Sequence, residues 1–216
     1  MTITTLFWDF GGVVADSPFD NLARYEREND LPMDFLRLTN AQNADTNAWA
    51  CFERGDIDVE TFDRRFAEET AARGHRVPGR DLLPLLQVAV RPRMVEVIRS
   101  LASRYRQACL TNNLPVGQGA AMSQDGAHGA AAAEALALFD FVLESSKAGA
   151  RKPEPAFFQR ACEMAAVSPQ QVLFLDDLGI NLKPARAMGM TTIKVTGEQQ
   201  AVEALQETLG HPVPLP

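Results

Sequence analysis

Short apolar runs and helical periods alternate along the two outer parts of this chain, whereas the stretch between them follows a helical pattern alone. Runs from Ile3 to Trp8, Gln107 to Thr111, Phe139 to Leu143, Val172 to Asp176 and Thr191 to Val195 are too short for helices and end in polar or turn residues, which predicts buried strands. The segments between them repeat at helical spacing. In "RPRMVEVIRSLASRY", Val95, Ile98, Leu101, Ala102 and Tyr105 fall on one face, with Pro92 suited to the first turn. In "KPEPAFFQRACEMAAV", Phe158, Ala161, Cys162 and Ala165 do the same. "NLKPARAMG" predicts a helix with Asn181 as N-cap, Pro184 in its first turn and Gly189 just past its end. Strands alternating with helices predict an α/β fold, a parallel sheet flanked by helices.

From about Phe19 to Val90 no strand is predicted. "NLARYERENDLP", "DFLRLTNA", "TNAWACFERGDI" and "VETFDRRFAEETAARG" read as short helices, the last capped by Asp58, with Trp49, Phe52, Phe62 and Phe66 as their common core. The expected organisation is a core of residues 1–16 and 91–216 interrupted by an all-helical insertion, residues 17–90. Residues 117–137 are rich in Gly and Ala and predict a mobile loop followed by a short helix from about Ala130. No internal repeat is present.

Composition narrows the class of protein. A chain of 216 residues with 46% hydrophobic and 23% charged residues suits a globular protein with a full core. Its net charge of -7 and lack of any basic run argue against a nucleic-acid binder. Cys51, Cys109 and Cys162 are odd in number and widely spaced, so neither a disulfide framework nor a CxxC site is predicted. No apolar run approaches the roughly 20 residues that cross a bilayer, and the start lacks the basic and apolar regions of a signal peptide. A cytoplasmic location without membrane attachment is the expectation. His75, His128 and His211 have no ligand spacing and read as surface or loop residues.

The chemistry sits at strand ends. In open parallel sheets ligands bind beyond the carboxyl ends of the strands, and four of the predicted strands end in, or lead into, reactive polar groups. "LFWDFGGVVADSP" places Asp9 at the end of the first strand, followed by Gly11 and Gly12; "CLTNN" ends the second in Thr111, Asn112 and Asn113. The third leads through "ESSKAGARKPEP" to Lys152, and the fourth ends in Asp176 and Asp177. Singly, each has a bland alternative: a polar strand end, a helix N-cap or a solvated lysine. In this order and number they define a candidate site.

These four segments, together with "FLDDLGINLKPARAMGMTTIKV", resemble the sequence motifs of the haloacid dehalogenase-like (HAD) hydrolase superfamily over nearly the whole chain. Within it they are similar to the branch that holds the amino-terminal phosphatase domain of soluble epoxide hydrolase, bacterial sugar-1-phosphate phosphatases and the related domain of acyl-CoA dehydrogenase 10. "WACFERGDIDVETF" resembles that branch's helical cap, in the position called C1. The resemblance implies a Rossmann-like core and a Mg²⁺-dependent phosphatase acting on a small phosphorylated substrate. Asp9 would be the nucleophile that becomes an aspartyl-phosphate. Asp9, the Gly11 carbonyl and Asp177 would hold Mg²⁺, with Asp176 orienting them from behind. Thr111, the Asn112 backbone and Lys152 would bind the phosphoryl group.

One position departs from the superfamily's usual pattern. Most of its phosphatases carry a second Asp two residues after the nucleophile, as general acid and base, and this chain has Gly11 there. Asp16 lies near in sequence without a predicted role, and Trp49 or Arg54 could face the substrate. Two alternatives stay open: a 2-haloacid dehalogenase, which needs no metal, and a phosphate-ligand binding or regulatory protein with weakened catalysis. The substrate and the oligomeric state are not readable from sequence.

Overall fold

The computed structural model describes residues 2–116 and 127–213. Five strands, β1 (Thr5–Trp8), β2 (Arg106–Thr111), β3 (Phe141–Glu144), β4 (Val172–Asp176) and β5 (Thr191–Lys194), form one parallel sheet in the order β3-β2-β1-β4-β5. This is the Rossmann-like α/β architecture expected from the alternation of strands and helices. β1 lies at the centre, with Trp8 level with Cys109 on one side and Leu175 on the other. Asp9 therefore leaves the sheet between the ends of β2 and β4, where the chain order reverses.

Alternation along the strands sorts their side chains between two apolar layers. Leu6, Trp8, Leu173 and Leu175 face one layer, and Phe7, Val172 and Phe174 face the other. The first layer is covered by α5 (Pro92–Leu101), α6 (Ala127–Leu136) and α10 (Glu198–Leu209), and the second by α8 (Pro155–Ala165) and α9 (Gly179–Ala187). In α8 the face Phe158, Ala161, Cys162 and Ala165 is buried as predicted, with Phe157 beside it. In α5 the buried face is Met94, Val97, Ile98 and Leu101; Val95 is half-buried and Ala102 exposed. The helix ends at Leu101, so Ala102 and Tyr105 fall outside it and the apolar stripe is set by the earlier residues.

Two boundaries differ from the sequence reading. β3 begins at Phe141 rather than Phe139, because Asp140 turns back on β2: its Oδ2 accepts from the Gln107 amide at 2.7 Å. α9 begins at Gly179, so Asn181 is not its N-cap but lies in its first turn, buried and facing the sheet. Gly189 does follow that helix, with φ +100°. α6 starts at Ala127, slightly before the predicted Ala130. Of the loop predicted from Gly117 up to that helix, residues 117–126 lie outside the described residues.

Between β1 and β2 the chain passes through α1 (Phe19–Glu28), α2 (Phe35–Asn40), α3 (Ala48–Glu53), α4 (Val59–Ala71) and a 3-10 segment, Gly79–Leu86. Asp58 caps α4 by accepting from the Thr61 amide at 2.8 Å, and Asn47 caps α3 from Ala50 at the same distance. These helices share their own core, in which the Phe52 and Phe62 rings stack at 4.5 Å and Trp49 meets Phe62 edge-on at 5.8 Å. The two connections to the sheet run side by side. Asp16 donates its amide to Ala89, Arg91 donates its amide to Val14, and Ala15 bridges Val90.

Phe62 is fully buried and its ring fills the space beside Gly79, where an added Cβ would lie 2.7 Å from it. Phe62→Ala should cost about 3–5 kcal/mol, read as an earlier urea transition, with α4 and the Gly79–Leu86 segment losing hydrogen-exchange protection before the sheet does.

Candidate active site

Burying Asp9 at the mouth of the sheet requires a counter-charge, and Lys152 supplies it. Asp9 is 8% exposed and Lys152 only 1%. The Lys152 Nζ lies 2.7 Å from Asp9 Oδ1 and 2.8 Å from Asp176 Oδ2, so one ammonium bridges the carboxylates at the ends of β1 and β4. Phe174 lies beneath it, with the ring centroid 5.7 Å from Nζ. The Phe10 amide also donates to Asp9 Oδ1 at 2.7 Å. Asp176 is saturated: Oδ1 accepts from the Leu178 amide at 2.8 Å, and both oxygens receive the Asn181 side chain at 3.0 and 3.1 Å. That is the role Asn181 takes in place of capping α9.

Asp177 completes a cluster in which one oxygen from each of Asp9, Asp176 and Asp177 lies within 4.8 Å of the others. Three carboxylates against one ammonium leave uncompensated negative charge. Burial raises the Asp177 carboxyl to about 6, and repulsion from Asp176 adds to it. Burial likewise raises Asp9 well above the usual carboxylate range; Lys152 opposes the shift while Asp176 and Asp177 reinforce it. For Lys152, burial alone would lower the pKa, but Asp176 and Asp9 overcome it and hold the ammonium charged. A hard divalent cation fits such a set of negatively charged oxygens.

The two glycines after Asp9 have different reasons. Gly12 has φ +76°, and a Cβ there would lie 2.2 Å from Asp177 Oδ2, so the residue must be glycine for Asp177 to occupy its place. Gly11 has neither constraint: its φ is outside the left-handed region and a Cβ would meet only Pro18 Cδ, at 3.6 Å. Arg91 braces this turn, donating from Nη1 to the Gly12 carbonyl at 2.9 Å and from Nε to Asp16 Oδ1 at 3.0 Å. Asp16 is thereby held in an exposed ion pair at the connection to the helical insertion.

Thr111 is buried at the end of β2. The Asn112 side chain turns to Lys152 and clasps its backbone, accepting from the amide at 2.8 Å and donating to the carbonyl at 2.9 Å. Asn113 turns the other way, donating to Glu144 at 2.9 Å and accepting from Ser146. The structure thus brings Asp9, Gly11, Thr111, Asn112, Lys152, Asp176 and Asp177 to one edge of the sheet.

Residues that the sequence reading did not place at the site, or gave another role, also enter its surroundings. Asn181 and Arg91 support it from behind, and Glu53 of α3 reaches it from the insertion, donating nothing but accepting from Asn112 Nδ2 at 3.3 Å and from Arg151. Arg54 is committed to Asp56 and to Glu154 at 2.8 and 3.0 Å, and the indole of Trp49 donates to Glu53 at 2.9 Å. The available signal is an acidic and a basic residue closing an otherwise apolar helix, with a second charged group, "RKPE", later in the chain.

Residues 3–189 match the family described as haloacid dehalogenase-like hydrolase, and the chain belongs to that family. It is 32% identical to mouse acyl-CoA dehydrogenase family member 10 over 97% of this chain and 19% of the relative. The chain spans at most 39% of the first curated relatives it matches. Among solved structures, a predicted HAD-like family hydrolase from Porphyromonas gingivalis is similar with a TM-score of 0.69 at 19% identity, covering 97% of this chain and 98% of that one. A HAD family enzyme from Bacteroides thetaiotaomicron, in complex with magnesium and inorganic phosphate, aligns over 90% of this chain and 96% of its own, with a TM-score of 0.58 and 19% identity.

Removing the ammonium should expose the cost of the cluster. Lys152→Met leaves Asp9 and Asp176 buried without their cation and should destabilise the metal-free protein by roughly 3–5 kcal/mol. Asp9, whose carboxyl burial already raises, then loses the charge that opposes the shift and titrates still higher in the folded than in the unfolded chain, so folding takes up a proton and stability rises as pH falls. Urea denaturation of the variant at pH 7 and pH 5 should therefore show a smaller deficit at pH 5.

Proposed function

We propose that this chain is a Mg²⁺-dependent phosphohydrolase that removes phosphate from a small phosphorylated metabolite through an aspartyl-phosphate on Asp9. The observation that carries the reading is the Lys152 ammonium between Asp9 and Asp176, beside Asp177, at the carboxyl edge of the sheet. Asp9, the Gly11 carbonyl and Asp177 would hold the cation, and Asp176 would act from behind, because its oxygens are already occupied by Lys152, Leu178 and Asn181. A bound Mg²⁺ supplies positive charge against the phosphoryl oxygens. The magnesium and phosphate in the Bacteroides relative support this choice, as does family membership.

In the first step an Asp9 oxygen attacks phosphorus, and the bond to the substrate's leaving oxygen breaks with its electron pair going to that oxygen. Thr111, the Asn112 amide and Lys152 stabilise the charge that spreads over the phosphoryl oxygens. Water then attacks phosphorus, the bond to Asp9 breaks with its electron pair returning to the carboxylate, and the water's protons leave on the departing phosphate as dihydrogen phosphate. The helical insertion, residues 17–90, acts as a cap that shuts water from the first step and selects the substrate.

Position 11 separates this site from one with its own proton donor. Asp16 is engaged with Arg91, and Asp176 and Asp177 belong to the cluster, so the described carboxylates near the nucleophile already have other work. The enzyme accordingly favours substrates whose leaving oxygen departs without full protonation. A 2-haloacid dehalogenase reading is less well supported, since metal-free attack on carbon has no use for three clustered carboxylates.

Two measurements test the reading. Phosphate release from a panel of phosphomonoesters should require Mg²⁺, stop with chelator and vanish in Asp9→Asn; turnover of 2-haloacids that survives chelation would replace it with dehalogenation. Since a side chain fits at position 11, Gly11→Asp should raise turnover of simple alkyl phosphates by about a hundredfold or more while changing aryl phosphates little. A uniform loss on both would show that position 11 does not serve proton transfer.

A further inference from the structure

The end of α3 meets the core through a crossed pair of ion pairs. Glu53 joins Arg151, and the next residue, Arg54, joins Glu154 at 3.0 Å. Their side chains are largely withdrawn from water: 9% exposed for Glu53, 16% for Arg151, 15% for Arg54 and 30% for Glu154. Gly55 follows with φ +74°, and its backbone is pressed so closely on the core that a Cβ would lie 2.6 Å from the Ser146 carbonyl oxygen. Arg151 also donates to the Ala44 carbonyl at 3.2 Å, so it holds the insertion at two points.

The two pairs differ in what they touch next. Glu53 accepts from Asn112 as well as from Arg151 and Trp49, and is therefore fully engaged by donors from both sides of the interface. Asn112 and Arg151 are the chain neighbours of Thr111 and Lys152. Asn112 holds both backbone polar groups of Lys152, and the Lys152 ammonium lies on Asp9. Glu154 meets the Arg151 backbone, accepting from its amide at 3.4 Å and donating its own amide to the Arg151 carbonyl at 2.8 Å, but among the contacts of the described residues neither Arg54 nor Glu154 touches Asn112 or Lys152.

We infer that Glu53 is a positioning residue: seated on the core, it fixes Asn112 and Arg151, and through them the backbone from which Lys152 reaches Asp9. Alignment of the ammonium then depends on how α3 is seated on the core. Arg54 with Glu154 contributes seating without alignment. The catalytic consequence rests on the phosphohydrolase reading above, whereas the structural coupling does not.

The test compares Glu53→Gln with Arg54→Gln in the full chain. Gln keeps the size of Glu53 and one acceptor but removes the charge facing Arg151. Hydrogen exchange of the Lys152 amide, which is bonded to Asn112, should speed up about tenfold or more in Glu53→Gln and stay near wild type in Arg54→Gln, with the Leu175 and Phe174 amides of β4 unchanged in both. With phenyl phosphate and Mg²⁺, Glu53→Gln should lose kcat by roughly tenfold to a hundredfold at little change in KM, as a displaced catalytic group does. Arg54→Gln should act mainly on KM. Equal effects of the two substitutions on the Lys152 amide, or none, would overturn the inference. So would an active Glu53→Gln with unchanged kcat. If the wild type releases no phosphate, the phosphohydrolase reading fails by itself, and the exchange measurement still decides whether Glu53 positions Lys152.

Discussion

A single buried ammonium organises the reactive edge of this protein. Asp9 and Asp176 follow or end adjacent strands and are withdrawn from water, and the Lys152 ammonium between them offsets the cost of burying two acidic side chains side by side. The lysine in turn must be brought from the loop after β3, on the far side of β2. Its position is held by Asn112 on its backbone and by two carboxylates on its charge. Because every partner comes from a different strand end, the site exists only while the sheet holds those ends in register.

That register comes from ordinary packing. Leu6 and Trp8 on one side of β1 and Phe7 on the other are locked between two helical layers, so a slip of one residue would send each into the wrong layer and carry Asp9 with it. The helical insertion is different in kind. It has its own aromatic core around Phe52, Phe62 and Phe66, and meets the sheet through paired connections, a compact glycine contact and two ion pairs. The seam between the parts is also apolar in places, since Leu114, just after β2, is buried in the insertion's core.

The glycines after Asp9 show how alike residues can answer to different constraints. Gly12 is required by the space that Asp177 takes and by a left-handed backbone; Gly11 is required by neither. The fold would therefore admit a side chain at position 11. The tight turn is braced by Arg91, which also carries the chain back from the insertion, so the mouth of the site and the connection to the insertion share a side chain.

The sequence by itself determined the α/β alternation, the five strands and the polar ends of β1, β2 and β4, because burial demands apolar runs and a polar group ending such a run stands out. It also determined the aromatic core of the insertion and the cap of α4 by Asp58, both of which are local in the chain. Tertiary structure decided what depended on distant partners. Asn181 reads as a helix cap until Asp176 claims its side chain, Asp16 has no readable role until Arg91 pairs with it, and nothing in the sequence singles out Glu53 until Asn112 and Arg151 are brought against it. Periodicity records which face of a segment avoids water, whereas the partner of a buried charge is set by the meeting of segments up to a hundred or so residues apart, which no local pattern encodes.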